Sequence, residues 1–134
     1  MSQRRLQRNL ANLGRAVAQL EEAIRIPRDR PLVAEGTVQR FEFVIELFWK
    51  TLKRGLEFEG RPTRTPREAL REAYAAGWID DEAIWLDMLQ CRNDTSHLYL
   101  DPALLDQAYD RIRGYGREMR RMLTFLEDRF RDVV

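Results

Sequence analysis

Nine consecutive residues hold most of the chemistry available to this chain: Cys91-Arg92-Asn93-Asp94-Thr95-Ser96-His97-Leu98-Tyr99, with the only histidine of the sequence at position 97. Arginine presents a planar fork of donors that fits a phosphate. Histidine moves a proton near neutral pH. Metal-independent cleavage of an RNA phosphodiester needs a base for the 2′-hydroxyl, a cation for the charge that builds on the phosphorane, and an acid for the leaving 5′-oxygen. His97 suits the proton work and Arg92 the charge stabilisation. Asn93, Ser96 and Tyr99 can donate hydrogen bonds to phosphate or ribose, and Asp94 can orient the imidazole.

On an ideal helix five positions turn the chain by about 140°, which would point Arg92 and His97 to different sides. Residues 93–96 are poor helix-interior types and good cap or turn types. Two geometries reunite the pair: fraying of the helix at these residues, or pairing of Arg92 of one subunit with His97 of another across a two-fold axis.

The elements that must carry this segment read as helices. Leu6, Leu10, Leu13, Val17, Leu20 and Ile24 recur at alternating steps of four and three, a heptad-like stripe. Pro27 disfavours helical geometry at Ile26, so the first helix is expected to stop there, followed by a connection over residues 27–36. Thr37 is then expected to cap a second helix running to about Glu59 and ending at Gly60. Phe41, Ile45, Phe48, Leu52 and Leu56 mark its stripe. Phe43, Val44, Leu47 and Trp49 widen it, and core packing is the expectation for Phe41, Phe43, Phe48 and Trp49, as for Trp78 and Trp85. Thr65-Pro66-Arg67-Glu68 is a cap, a first-turn proline and a capping-box glutamate opening a short third helix that ends near Gly77. Asp80 is expected to cap a fourth, with Ile84, Trp85, Met88 and Leu89 as its apolar face. Asp101-Pro102 opens a last helix through Leu105, Tyr109, Ile112, Met119, Met122, Leu126 and Phe130, with Gly114 and Gly116 as the place for a kink. No segment shows strand alternation. The expected fold is all-α, an up-and-down four-helix-bundle-like arrangement with an additional short helix, forming one domain over residues 1–134.

Composition narrows the function classes. The formal net charge is +1, so there is no global nucleic-acid signal. Two basic runs stand out, Arg4, Arg5, Arg8 and Arg15, then Arg61, Arg64, Arg67 and Arg71, and each reads first as a solvated helix face. The lone cysteine, Cys91, excludes an intramolecular disulfide and fits a reducing compartment; it reads as packed rather than nucleophilic. One His and one Cys do not make a zinc cluster of familiar spacing, and no cofactor is expected. There is no signal-peptide core and no run of membrane-span length, so the expectation is a cytoplasmic protein without membrane contact. The stripe of the first helix and the girth of the second point to apolar surface left over for a homodimer.

The spacing Arg-x4-His-x-Tyr, with Gln39-Arg40-Phe41-Glu42-Phe43, Glu46-Leu47-x-Trp49-Lys50-Thr51-Leu52, Thr65-Pro66-Arg67-Glu68 and Ala76-Gly77-x-Ile79-Asp80 ahead of it, resembles the HEPN-domain family. Within it, the likeness is to the HepT-like branch, also described as the substrate-binding partner of small nucleotidyltransferases. The resemblance runs from the second helix onward. It implies a homodimer with the motif at a shared cleft, and a cognate nucleotidyltransferase as partner. In toxin–antitoxin members the HEPN chain is a ribonuclease, silenced by AMP attached to the motif tyrosine. Arg92 and His97 then carry over as the catalytic pair and Tyr99 as the modified residue. The residue after the histidine is often threonine in that family and is Leu98 here. The alternative is a non-catalytic subunit that presents substrate to the nucleotidyltransferase.

Overall fold

The computed structural model describes residues 2–96 and 101–132. Over these it is all-helical: α1 Ser2–Arg25, α2 Val33–Phe58, α3 Pro66–Ala75, α4 Glu82–Thr95, α5 Pro102–Arg113 and α6 Gly116–Arg129. The all-α bundle expected from periodicity is what forms, with the last expected helix divided in two.

Helix α2 is the centre. It packs against α1, α3, α4 and α5, while α6 closes on α1. α1 and α2 run antiparallel, since Arg40 Nη1 donates to the Gln19 carbonyl at 2.6 Å near one end and Asn9 shares a cleft with Lys50 and Lys53 near the other. Leu6, Leu10, Leu13, Val17 and Leu20 are all buried by this pairing. Burial within the chain absorbs the apolar stripe of α1, which corrects the expectation that it is left over for a second subunit. The same holds for most of α2, where Val38, Phe41, Val44, Ile45, Phe48, Leu52 and Leu56 are buried. Phe43 is the correction on that helix: it is 55% exposed, because it lies opposite the face that these residues define. Trp49 is half-buried.

Local signals set the ends. Thr65 accepts the Glu68 amide at 3.1 Å, with Pro66 at the first helical position. The Glu68 carboxylate closes on the amide of Arg64 at 2.9 Å rather than on that of the cap residue. Gly60 and Gly77, each at φ 81°, end α2 and α3. In both turns the following amide reaches back to the last helical turn, Arg61 to the Leu56 carbonyl at 2.8 Å and Trp78 to the Ala73 carbonyl at 2.9 Å. The second of these turns Trp78 into the core, where it meets Phe130 edge-on at 5.8 Å.

Two caps differ from expectation by local competition. α2 starts a turn early, behind Leu32 at φ 68°, so Thr37 lies inside the helix and donates back to the Val33 carbonyl at 2.7 Å. For α4 the capping acid is Asp81 rather than Asp80, accepting the Ile84 amide at 3.3 Å. Both acids can cap, and only the approach of the chain decides between them.

The division between α5 and α6 falls at Gly114 and Tyr115, whose amides bond to the Arg111 and Ile112 carbonyls, each at 3.0 Å. This tight turn places Tyr115 inside the bundle, stacked on Phe41 at 5.7 Å and donating to Asp87 Oδ2 of α4. α4 and the α5–α6 corner are thereby joined behind the motif. Among the described residues no helix is long and apolar enough to cross a membrane.

Candidate functional site

The last turn of α4 carries Arg92, Asn93, Asp94 and Thr95, with Ser96 as its C-cap in helical geometry. Fraying before position 96, the first of the two geometries expected from sequence, does not occur. The reason is that three of the four polar side chains able to unravel the turn have partners. Thr95 Oγ1 lies 2.7 Å from Glu42 Oε2 and 2.8 Å from the Arg92 carbonyl, with one proton to give. Asp94 accepts from Gln90 Nε2 at 2.9 Å and from Arg111 Nη1 at 3.0 Å. Ser96 Oγ donates to the Asn93 carbonyl at 2.7 Å. His97 and Tyr99 lie outside the described residues.

Arg92 is tethered rather than loose. Its Nη1 donates to Glu42 Oε2 at 3.2 Å, the same oxygen that faces the Thr95 hydroxyl. Its Nε is buried with no hydrogen-bond partner among the described residues, while the side chain as a whole keeps 40% of its surface exposed. The guanidinium is thus fixed on one edge and open on another, the arrangement an anion site requires. Glu42 was not legible as part of the site from sequence. It sits in α2 among apolar neighbours and looks like any surface acid of an amphipathic helix.

Arg111 of α5 is the second contributor that sequence reasoning missed. Its Nη1 holds Asp94 and its Nη2 holds Asp87 Oδ1, each at 3.0 Å, so it spans two turns of α4. Tyr115 secures Asp87 from below. Cys91 is fully buried beside this network. Burial pushes its thiol above the ordinary value, which keeps it protonated and a poor nucleophile, as its sequence context suggested.

Two clefts flank the Arg92–Glu42 bridge along α2. One, of about 590 Å³, is lined by Glu35, Val38, Gln39, Glu42, Thr95, Pro102 and Leu105. The other, of about 240 Å³, is lined by Ile45, Glu46, Trp49, Pro66, Leu89, Arg92 and Asn93. Arg92 and Asn93 therefore reach open space on the Trp49 side, and Thr95 on the Pro102 side. Among the described residues no group of three or more His, Cys, Asp or Glu side chains is placed to hold a metal ion.

Comparison with known proteins agrees with this frame. The family described as "Nucleotidyltransferase substrate binding protein like" matches residues 8–128, nearly the whole chain. This chain belongs to that family and is a HepT-like HEPN protein. A curated relative, the probable ribonuclease HepT of Haemophilus influenzae, is 39% identical over 69 residues, which cover 48% of this chain and 47% of that protein. The match thus spans about half the length of that relative. The crystal structure of a Thermus thermophilus protein, 31% identical, has a TM-score of 0.79 over 85% of this chain and 98% of that one.

Proposed function

We propose that this chain is a metal-independent RNA endonuclease, the toxin of a toxin–antitoxin pair, neutralised by a small nucleotidyltransferase. The observation that carries the reading is Arg92: a half-exposed guanidinium, anchored through Nη1 to Glu42 and opening on a cleft shared with Asn93. The name of the Haemophilus relative supports the same reaction class. His97 acts as the base toward the 2′-hydroxyl, and Arg92 takes the charge of the phosphorane. The attacking oxygen bonds to phosphorus, the 5′-oxygen leaves with a proton, and a 2′,3′-cyclic phosphate remains. Asn93 and Ser96 hydrogen-bond phosphate or ribose, and Asp94, steadied by Arg111, orients the imidazole. The test is incubation of the isolated protein with unpaired RNA in excess EDTA. Cleavage with a cyclic phosphate end supports the reading; cleavage that stops on chelation removes it.

A homodimer brings a second His97 to serve as the general acid. Light scattering at micromolar concentration is expected to return twice the chain mass, and a monomer mass would remove this arrangement.

Control by the partner falls on Tyr99. Co-expression with the cognate nucleotidyltransferase is expected to raise the mass of the chain by one or more AMP units, and Tyr99→Phe to abolish the gain. An unmodified wild-type chain beside an active partner with ATP would leave masking of the cleft as the means of control.

The second reading is a non-catalytic subunit that presents substrate to the nucleotidyltransferase, and the description of the matching family favours it. Intact protein without RNA cleavage, but with enhanced turnover of the partner enzyme, would select it.

A further inference from the structure

Trp49 of α2 lines two clefts at once. One is the cleft with Arg92 and Asn93. The other, of about 250 Å³, is lined by Asn9, Trp49, Lys50, Lys53 and Arg54. The second cleft has no acidic residue in its lining. It also gathers both lysines of a chain whose other basic residues, apart from its single histidine, are all arginine. Arg54 is half-buried and has no ion pair among the described residues. Lys50 and Lys53 have only the weak partners of their own helix face, Glu46 at 3.4 Å and Glu57 at 4.0 Å. Exposed pairs of this kind contribute little and yield readily to a competing anion. From Ile45 to Lys53 the helix rises about 12 Å, so the two clefts and the indole between them match a short run of nucleotides rather than a single ion.

We propose that unpaired RNA leaves the Arg92–Asn93 cleft across Trp49, with a base stacked on the indole and the following phosphates in the Asn9–Lys50–Lys53–Arg54 cleft. The inference rests on the ribonuclease reading and extends it from the scissile phosphate to the path of the strand. Its chemistry is that of single-strand binding in general: an aromatic platform that accepts any base, next to a cationic groove for the backbone. Such a path favours unpaired over duplex RNA, because a paired base has no free face to give the indole. The bland alternative is a solvated helix face. That alternative accounts for Lys50 and Lys53 but not for a half-buried Arg54, without an ion pair among the described residues, sharing a cleft with a half-buried Trp.

The test is fluorescence anisotropy with a labelled, unpaired 2′-O-methyl oligoribonucleotide, which binds but offers no attacking hydroxyl. The proteins are the wild-type chain, the triple variant Lys50→Ala/Lys53→Ala/Arg54→Ala, and Trp49→Ala beside Trp49→Phe. A control triple variant, Arg64→Ala/Arg67→Ala/Arg71→Ala, removes equal charge from the basic run of residues 61–71. The expected result is a fall in the salt-dependence slope of about 2 for the lysine-cleft variant, since each lost phosphate contact on a single strand accounts for about 0.7. Trp49→Ala is expected to weaken binding about tenfold, with Trp49→Phe recovering most of the loss. Unchanged affinity and slope in the lysine-cleft variant, with wild-type helicity, overturn the path, and so does an equal effect of the control. The first result would leave the cleft to an acidic protein partner. The two readings separate cleanly. Cleavage by wild type with no lysine-cleft dependence of binding sinks the path alone. Lysine-cleft-dependent binding without cleavage of ordinary RNA sinks the nuclease alone. No binding by any variant overturns the path and leaves the nuclease to the cleavage assay.

Discussion

His97→Ala is expected to slow cleavage of unpaired RNA by about 10²–10⁴-fold, the usual contribution of a positioned general acid or base. Arg92→Ala is expected to cost a comparable factor through loss of charge stabilisation on the phosphorane. Both losses should fall on the chemical step. Excess EDTA should leave the wild-type rate unchanged, and DNA of the same sequence, without the 2′-hydroxyl, should survive intact. Glu42 makes the series more discriminating. Its Oε2 is the common partner of Arg92 Nη1 and of the Thr95 hydroxyl, so Glu42→Ala releases the guanidinium without removing it. A misplacement of about 1 Å in a reacting group can cost on the order of 10²-fold, and a loss of about that size is expected. Glu42→Gln keeps an acceptor and should lose less. Initial rates on a short fluorogenic RNA, with circular dichroism to show that each variant is folded, check the series. An equal rate for His97→Ala and wild type would end the nuclease assignment.

Trp85→Ala is expected to destabilise the fold by about 3–5 kcal/mol, the range for deleting a large buried aromatic side chain. Trp85 is fully buried and meets Phe48 of α2 edge-on at 5.0 Å. Its indole N–H donates to Glu118 Oε2 of α6 at 2.8 Å. The change therefore opens a cavity between α2 and α4 and breaks a charge-assisted bond to α6. Against a total stability of about 5–15 kcal/mol, the melting temperature should fall by roughly 10–20 °C. Trp85→Phe should keep much of the packing and lose the bond, which gives it a particular acid response. Burial pushes the Glu118 carboxyl up, but the Arg121 guanidinium and the Trp85 N–H together outweigh it and hold the group below its ordinary value of 4.5. A depressed carboxyl contributes stability that is fully present above the unfolded-state value. That contribution is lost as pH falls through the lower folded value. Urea unfolding at pH 7 and pH 3 should show a smaller acid loss in Trp85→Phe than in wild type. An equal or larger loss in the variant would show that the indole N–H does not support the charged form of Glu118.

The parts of this fold that sequence revealed are those written in short range. The stripe of α1 and the Thr65-Pro66 start of α3 are complete within a few consecutive turns, and both are present as read. The misreadings involve a choice settled by distant contacts. Asp80 and Asp81 are equivalent as local caps, and Leu32 takes a left-handed conformation that no local preference for leucine would suggest. The last turn of α4 is the sharpest case. Asn93, Asp94, Thr95 and Ser96 have the composition of a helix end, and alone they would favour fraying. They stay helical because Glu42, 50 and 53 residues upstream of the two groups it receives, and Arg111, 17 residues downstream of Asp94, supply the partners. Arg92 and His97 stood out as candidates by kind and spacing. The partners that hold Arg92 and Asp94 did not, since an ordinary glutamate and an ordinary arginine acquire such a role only through tertiary contact.

The bond from Arg111 to Asp94 has a consequence for the order in which a growing chain acquires its parts. A chain emerges from the ribosome N-terminus first, so α1 through α4 are synthesised before α5 exists. Until Arg111 of α5 has docked, nothing on that side holds the last turn of α4 against the fraying that its own residues favour, and Tyr115 has not yet secured Asp87. Arg92 thus meets its partner Glu42 within the part already made, whereas Asp94 waits for Arg111, made 17 residues later. A truncated or stalled product ending before α5 would carry Asp94 and Asp87 without the Arg111 and Tyr115 contacts that hold them.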